Sequence, residues 1–137
     1  MADIVLHHIS LTTTNLDRSI TFFTEVLGFK QIPRPGFAVP GAWLNAGGVE
    51  IHLIDFPQGS FRNVKSVGTD DIHFAMRVHD FEHVISRLNQ HGYRDDLAET
   101  DNKKLIIKRQ SMAGYSQLYM MDPDSHLLEI NADYRVL

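Results

Sequence analysis

Tyr115 to Asn131 reads YSQLYMMDPDSHLLEIN. An apolar run, the turn formers Asp122-Pro123-Asp124-Ser125 and a second apolar run predict two strands folded back on each other. The second strand carries a carboxylate, Glu129, with two apolar residues before it and one after. Desolvating an unpaired carboxylate is costly, so Glu129 needs a partner, a proton or a metal. A buried salt bridge to Arg77 or Arg109 would be the plainest partner.

The chain around this hairpin has 137 residues, enough for a single domain with a real core. Hydrophobic residues make up 43% and charged residues 22%, a globular balance. The net charge of −4, without a basic cluster, disfavours nucleic acid as the main partner. No apolar run approaches the length of a membrane span. The start, MADIVLHHIS, lacks a signal-peptide pattern, so the cytoplasm is the expected compartment. There is no cysteine, which leaves histidine and carboxylate as the available metal ligands.

Residues 4–13 (IVLHHISLTT) read as a strand with His8, Ser10 and Thr12 on one face and His7, Ile9 and Leu11 on the other. Asn15 caps a helix whose stripe is Leu16, Ile20, Phe23 and Leu27, ended by Gly28. A short strand at 29–32 and a loop rich in proline and glycine follow. Residues 43–46 and 49–54 form a hairpin around Gly47-Gly48, with Glu50, His52 and Ile54 sharing a face. Residues 57–70 are polar and aperiodic. A second strand, 71–78, embeds His73. Asp80 then caps a helix with the stripe Phe81, Val84, Ile85 and Leu88, ended by Gly92. A strand from Tyr93, a charged loop over 95–104 and a strand over 105–109 lead to the hairpin.

This order repeats. His8 precedes Gly28 by 20 residues and His73 precedes Gly92 by 19. Each histidine-bearing strand leads to a capped helix ending in glycine, an aromatic and a base: Gly28-Phe29-Lys30 and Gly92-Tyr93-Arg94. The expected fold is α+β, two tandem β-α-β-β-β modules in a cupped mixed sheet around a central cleft. Module one covers about 1–56, the linker about 57–70 and module two about 71–137 of one domain.

Four side chains take matching places. His8 and His73 lie on the first strand of each module, and His52 and Glu129 on the last. Three imidazoles and a carboxylate suit a divalent Zn, Ni, Fe, Co or Mn ion with open positions for substrate. Singly, each histidine in a chain of eight is more often structural; the paired placement favours the metal. His7 is read as structural, His79, His83 and His91 as solvated, and His126 stays open. Phe37 and Trp43 are candidates for an apolar cleft wall, with core packing as the alternative. Tyr119 is placed to donate to a bound anion across the hairpin, and Arg109 to bind a substrate carboxylate.

The stretches HHISLTTTNLDRSITFFTEVLGF (7–29), DIHFAMRV (71–78) and YMMDPDSHLLEIN (119–131) resemble the vicinal oxygen chelate superfamily. Glyoxalase I, fosfomycin-resistance thiol transferases, extradiol dioxygenases and methylmalonyl-CoA epimerase belong to it. Gly41-Ala42-Trp43-Leu44 and Ile51-His52-Leu53 are similar to glyoxalase-I-like members. The resemblance implies metal ligands at His8, His73 and Glu129, and a fourth at His52, where glyoxalase I has a glutamate. That departure makes the site less anionic. Ser125 stands where the family's turn has glycine. Tyr119 and Ser10 match positions near substrate in the fosfomycin enzymes.

The resemblance implies a metal-dependent lyase or isomerase that chelates a small oxygenated substrate, with Glu129 as the candidate base. The alternatives are an Fe(II) extradiol-type dioxygenase, a metal-free antibiotic-sequestering protein and a fosfomycin-type thiol transferase. It also implies a homodimer, with sites either within one chain or shared between chains.

Overall fold

Among the described residues, eight strands and two helical stretches follow the order of the expected duplication. The structure, a computed structural model, describes residues 3–59 and 62–133. Residues 1–2, 60–61 and 134–137, parts of the expected modules and linker, lie outside the described residues. The chain divides into two compact units between residues 61 and 62.

The first unit runs β1 (His8–Thr13), α1 (Leu16–Thr21), β2 (Lys30–Ile32), β3 (Gly41–Asn45) and β4 (Glu50–Asp55). Its sheet order is β1-β4-β3-β2, with β1 and β4 parallel and the other pairs antiparallel. The second unit runs β5 (His73–Val78), α2 (Phe81–Gln90), β6 (Ile106–Lys108), β7 (Gln117–Met121) and β8 (Leu127–Ala132). Its order, β5-β8-β7-β6, and its strand directions repeat the first. Each sheet is mixed and each unit is a β-α-β-β-β module, so the class is α+β.

Local chemistry sets the boundaries. The Oδ1 of Asn15 accepts the Arg18 N–H at 3.0 Å, and that of Asp80 accepts the His83 N–H at 3.0 Å. Both are N-caps satisfying amides with no partner inside the helix. The first helix departs from expectation after Thr21, where Phe22–Val26 widen into a π-helical turn. The Leu27 N–H reaches Phe22 O at 3.2 Å, and Thr24 Oγ1 bonds back to Ile20 O at 2.7 Å. Phe22 and Phe23, adjacent at the start of this turn, are both buried. The strand expected from Tyr93 is a single bridge, Arg94 to Lys104, because Arg94 forks onto Asp96 and the chain turns.

The cores form on one sheet face of each unit. Leu44, Ile51 and Leu53 are buried in the first unit with Phe22 and Phe23. Leu118, Met120, Leu128 and Ile130 are buried in the second, as are Phe81, Ile85 and Leu88 of α2. Each such side chain contributes roughly 1.5–3 kcal/mol. The opposite sheet faces carry the polar residues. Among the described residues no helix is long and apolar enough to cross a membrane.

Two turns fix the strand registers. Gly47 and Gly48 have φ of 74° and 98°, as a two-residue hairpin between right-twisted strands requires. In the last hairpin Ser125 adopts φ 66°, the one non-glycine with positive φ among the described residues. The left-handed region costs a side chain roughly 1–2 kcal/mol. Ser125→Gly is therefore expected to hold stability or raise it by up to about 1 kcal/mol, and Ser125→Val to lower it by about 1–2 kcal/mol. Urea denaturation midpoints of the two variants check this.

Candidate metal centre

Period-two alternation puts His8 and Ser10 of β1 on the face away from the first core. Parallel pairing sets His8 opposite Glu50 and Ser10 opposite His52. In the second unit His73 lies opposite Leu127 and Ala75 opposite Glu129. The His73–Glu129 diagonal thus repeats the His8–His52 diagonal, and Tyr119 stands opposite Glu129 as Trp43 stands opposite His52. The four expected ligands fall into two equivalent pairs, one per unit. Within neither unit do three histidine, aspartate or glutamate side chains converge to hold an ion, among the described residues.

In the first unit the aromatic rings form a stack. The His52 ring lies 3.9 Å from His8 and 4.2 Å from Trp43, nearly parallel to both. Trp43 approaches Phe37 at 6.1 Å, and the Arg34 guanidinium covers Phe37 at 4.8 Å. Trp43 therefore serves the polar face, while its neighbours Ala42 and Leu44 are the core residues. Phe37 is 55% exposed at the outer end of the stack. Ser10 is exposed across the strand pair from His52.

Glu50, which the sequence placed on this face without a role, organises it. Its Oε1 lies 2.9 Å from His52 Nε2, and its Oε2 lies 3.7 Å from His7 Nε2. The hydrogen bond from His52 holds the Glu50 carboxyl below the usual range, against a smaller opposing effect of burial, with the charge of His7 adding to the lowering. An ionised carboxylate only accepts, so the proton is on His52 Nε2 and the lone pair on Nδ1. His7, expected on the opposite face, joins this cluster, its Nδ1 2.9 Å from His8 Nδ1. It precedes β1, where strand alternation does not yet apply.

In the second unit Glu129 is 5% exposed. Its Oε1 accepts from Gln117 Nε2 at 3.1 Å and its Oε2 from Asn131 Nδ2 at 2.7 Å. Arg77, one expected salt-bridge partner, acts a residue further out, donating from Nε to Asn131 Oδ1 at 2.8 Å. Arg109, expected to meet a substrate carboxylate or Glu129, instead forks onto Glu82 at 2.7 and 3.2 Å. It lies beyond the end of β6, where the first turn of α2 is its nearest anion.

The His73 tautomer is set by its backbone. Nδ1 lies 2.8 Å from the Asp71 carbonyl oxygen, which can only accept, so Nδ1 carries the proton. Asp71 is itself fixed: its carboxylate takes Arg62 Nε at 2.9 Å and the Ile72 N–H at 2.8 Å. The Nε2 lone pair of His73 is left 3.8 Å from Glu129 Oε1. Two ligand atoms at ~2.1 Å from one ion lie about 3 Å apart, so a small approach accommodates a cation. A metal-binding histidine usually donates its other ring N–H to such a carbonyl, which fixes the ring and leaves the second nitrogen for the ion. The donor set fits a divalent ion.

Tyr119 packs edge-on against His73 at 5.6 Å and donates its hydroxyl to Glu129. Burial first, and the Glu129 hydrogen bond second, push its phenol up to about 12. Tyr93 is likewise raised to about 12, by burial and the nearby Asp122 charge. A phenol titrates at about 10 when unfolded. The stabilising contribution of both groups is thus complete below pH ~10 and lost as pH rises through about 12. Tyrosinate absorbance is expected to show Tyr93 and Tyr119 ionising late, and Tyr119→Phe to remove one of those two steps.

Comparison with known proteins finds relatives along nearly the whole chain. A relative named Glyoxylase I 4, from Arabidopsis thaliana, is 28% identical over 127 residues, covering 91% of this chain and 68% of the relative. Glutathione transferase FosA from Serratia marcescens is 29% identical over 128 residues, covering 92% and 79%. Among solved structures, a glyoxalase family protein from Bacillus anthracis superposes with a TM-score of 0.73 at 19% identity, covering 97% of this chain and 99% of that one. The fosfomycin resistance protein FosX from Listeria monocytogenes gives 0.70 at 15% identity, covering 97% and 95%. Residues 5–130 match a single family model, and the chain belongs to the glyoxalase/bleomycin resistance protein/dioxygenase superfamily.

Proposed function

We propose that this protein is a metal-dependent, glyoxalase-I-like lyase or isomerase acting on a small oxygenated substrate. The observation that carries this reading is the His73–Glu129 pair: a backbone-fixed lone pair facing a buried carboxylate at 3.8 Å, repeated diagonally by His8 and His52. His8, His52, His73 and Glu129 are the proposed ligands of the ion. Zn, Ni, Fe, Co and Mn are all compatible with that donor set.

Such an ion, when bound, supplies Lewis-acid stabilisation of negative charge on a substrate oxygen. The protein's own groups do the rest. Glu129 is the candidate base, because either oxygen can release its amide donor and take a proton. Tyr119, with its phenol held protonated, remains a hydrogen-bond donor beside it. Trp43 and Phe37 would form an apolar wall, and Ser10 a polar contact across from His52. The proposal includes a cytoplasmic homodimer, which sedimentation equilibrium tests in its oligomeric part.

One observation favours a second reading. If His52 stays with Glu50 and does not meet the ion, His8, His73 and Glu129 remain as two histidines and a carboxylate. That set is the ligand pattern of Fe(II) oxygenases, so an extradiol-type dioxygenase is the runner-up.

Turnover assays with methylglyoxal–thiol hemithioacetal, catechols, and fosfomycin plus thiol separate the readings. The expected result is hemithioacetal turnover that chelation abolishes and a divalent ion restores. Catechol cleavage would support the dioxygenase, and thiol addition to fosfomycin the transferase. Tight binding of such compounds without turnover or metal would overturn the enzyme reading in favour of a sequestering protein.

A further inference from the structure

Glu50 stands beside two of the proposed ligands, His8 and His52, and the proposed chemistry does not use it. It is partly buried, stands opposite His8, and its carboxylate takes the Nε2–H of His52 at 2.9 Å. His52 has little freedom to leave this contact. It is 7% exposed and held between two rings, Trp43 at 4.2 Å and His8 at 3.9 Å. The bond to Glu50 therefore fixes rotation about the ring axis as well as the tautomer.

The second unit solves the same problem differently. There the carbonyl of Asp71 takes Nδ1–H of His73 and leaves Nε2 as the lone pair. In the first unit a carboxylate takes Nε2–H of His52 and leaves Nδ1. The two imidazoles thus present opposite nitrogens. A histidine that ligates a metal usually donates its other N–H to such an acceptor, which raises its basicity and locks its orientation.

We propose that Glu50 is a positioning residue for the metal centre, holding His52 so that it meets the ion through Nδ1 rather than Nε2. This inference rests on the metal reading above. The anionic charge of Glu50, two residues before His52 on β4, acts on the metal site through the imidazole.

Two measurements test it. In metal-free protein, ¹⁵N-correlated NMR of the histidine rings is expected to show His52 as the Nε2–H tautomer, and Glu50→Ala to release it into a mixture. Chelator-competition titration with Zn(II) is expected to show affinity falling about 10–100-fold in Glu50→Ala. Glu50→Gln, which keeps an oxygen able to accept from Nε2–H, should fall less. Thermal unfolding of both metal-free variants confirms that the sheet is intact, and the near-isosteric glutamine variant carries the test if the alanine variant does not fold.

On zinc binding the His52 Nδ1 resonance is expected to shift to the metal-bound range. A shift at Nε2 instead, or an affinity equal to or above wild type in Glu50→Ala, would overturn the proposal and mark Glu50 as idle or as a competitor for His52. Wild-type protein that takes up no zinc would overturn the metal reading as well, an outcome visible before any variant is made.

Discussion

Glu129→Gln is expected to abolish metal retention while leaving the metal-free fold within about 1–2 kcal/mol of wild type. Glutamine keeps the volume and one acceptor, so Gln117 or Asn131 retains a partner and the other donor meets an amide. That lost bond costs about 1–3 kcal/mol. Against it stands relief from keeping a carboxylate at 5% exposure with neutral amides on both oxygens. The metal has no such compensation, because His73 then faces an uncharged group. Affinity should fall by more than the about 10–100-fold that loss of an outer-shell partner costs. Chelator competition and urea denaturation on the same preparation read the two effects separately. A large stability loss with unchanged metal affinity would make Glu129 a structural residue.

The largest effect on stability away from the cores is expected at Asp122. It is 1% exposed and directly follows β7. Its Oδ1 accepts the N–H groups of Asp124 at 3.0 Å and His126 at 2.8 Å, and its Oδ2 takes His126 Nδ1 at 2.7 Å. Its own N–H and carbonyl close the turn with His126 and Ser125. Asp122→Ala leaves these side-chain donors without their acceptor in a buried turn, which should cost about 3–4 kcal/mol. Asp122→Asn, which keeps one acceptor oxygen, should cost roughly half as much. Because this turn sets the register of β8, the alanine variant should also weaken metal binding. Thermal unfolding in the presence and absence of Zn(II) shows both. An alanine variant as stable as wild type would mean that the turn is held by its backbone alone.

This hairpin was legible from its sequence because its signals are local. Alternation, a proline and short polar residues at a turn act within a few residues. The same holds for the Asn15 and Asp80 caps, the Gly47-Gly48 turn and the two histidine-bearing strands. The pairing of His8 with His52 and of His73 with Glu129 was legible because duplication copies the register as well as the residues.

What escaped depends on contacts between side chains. The π-helical turn at Phe22–Val26, where two adjacent phenylalanines are buried, has no local signal in the apolar stripe. Arg109 carries no mark in the sequence of the attraction to Glu82, 27 residues earlier. His7 joined the Glu50 cluster because it lies outside the strand whose alternation was used to place it. Gln117 and Asn131 share the Glu129 face by strand parity, so their parity with Glu129 was the available signal. Glu50 stood on the His52 face in the sequence as well; only the 2.9 Å hydrogen bond gives it a role.

The proposed metal dependence rests on His8, His52, His73 and Glu129 acting as ligands of a divalent ion. Elemental analysis by inductively coupled plasma mass spectrometry, on protein purified without a nickel column and reconstituted with Zn(II), tests it most directly. The account predicts one ion per chain in wild type, and near-complete loss in both His8→Ala and Glu129→Gln. Two ions per chain, with each variant losing only one, or no ion in the wild type, would contradict it.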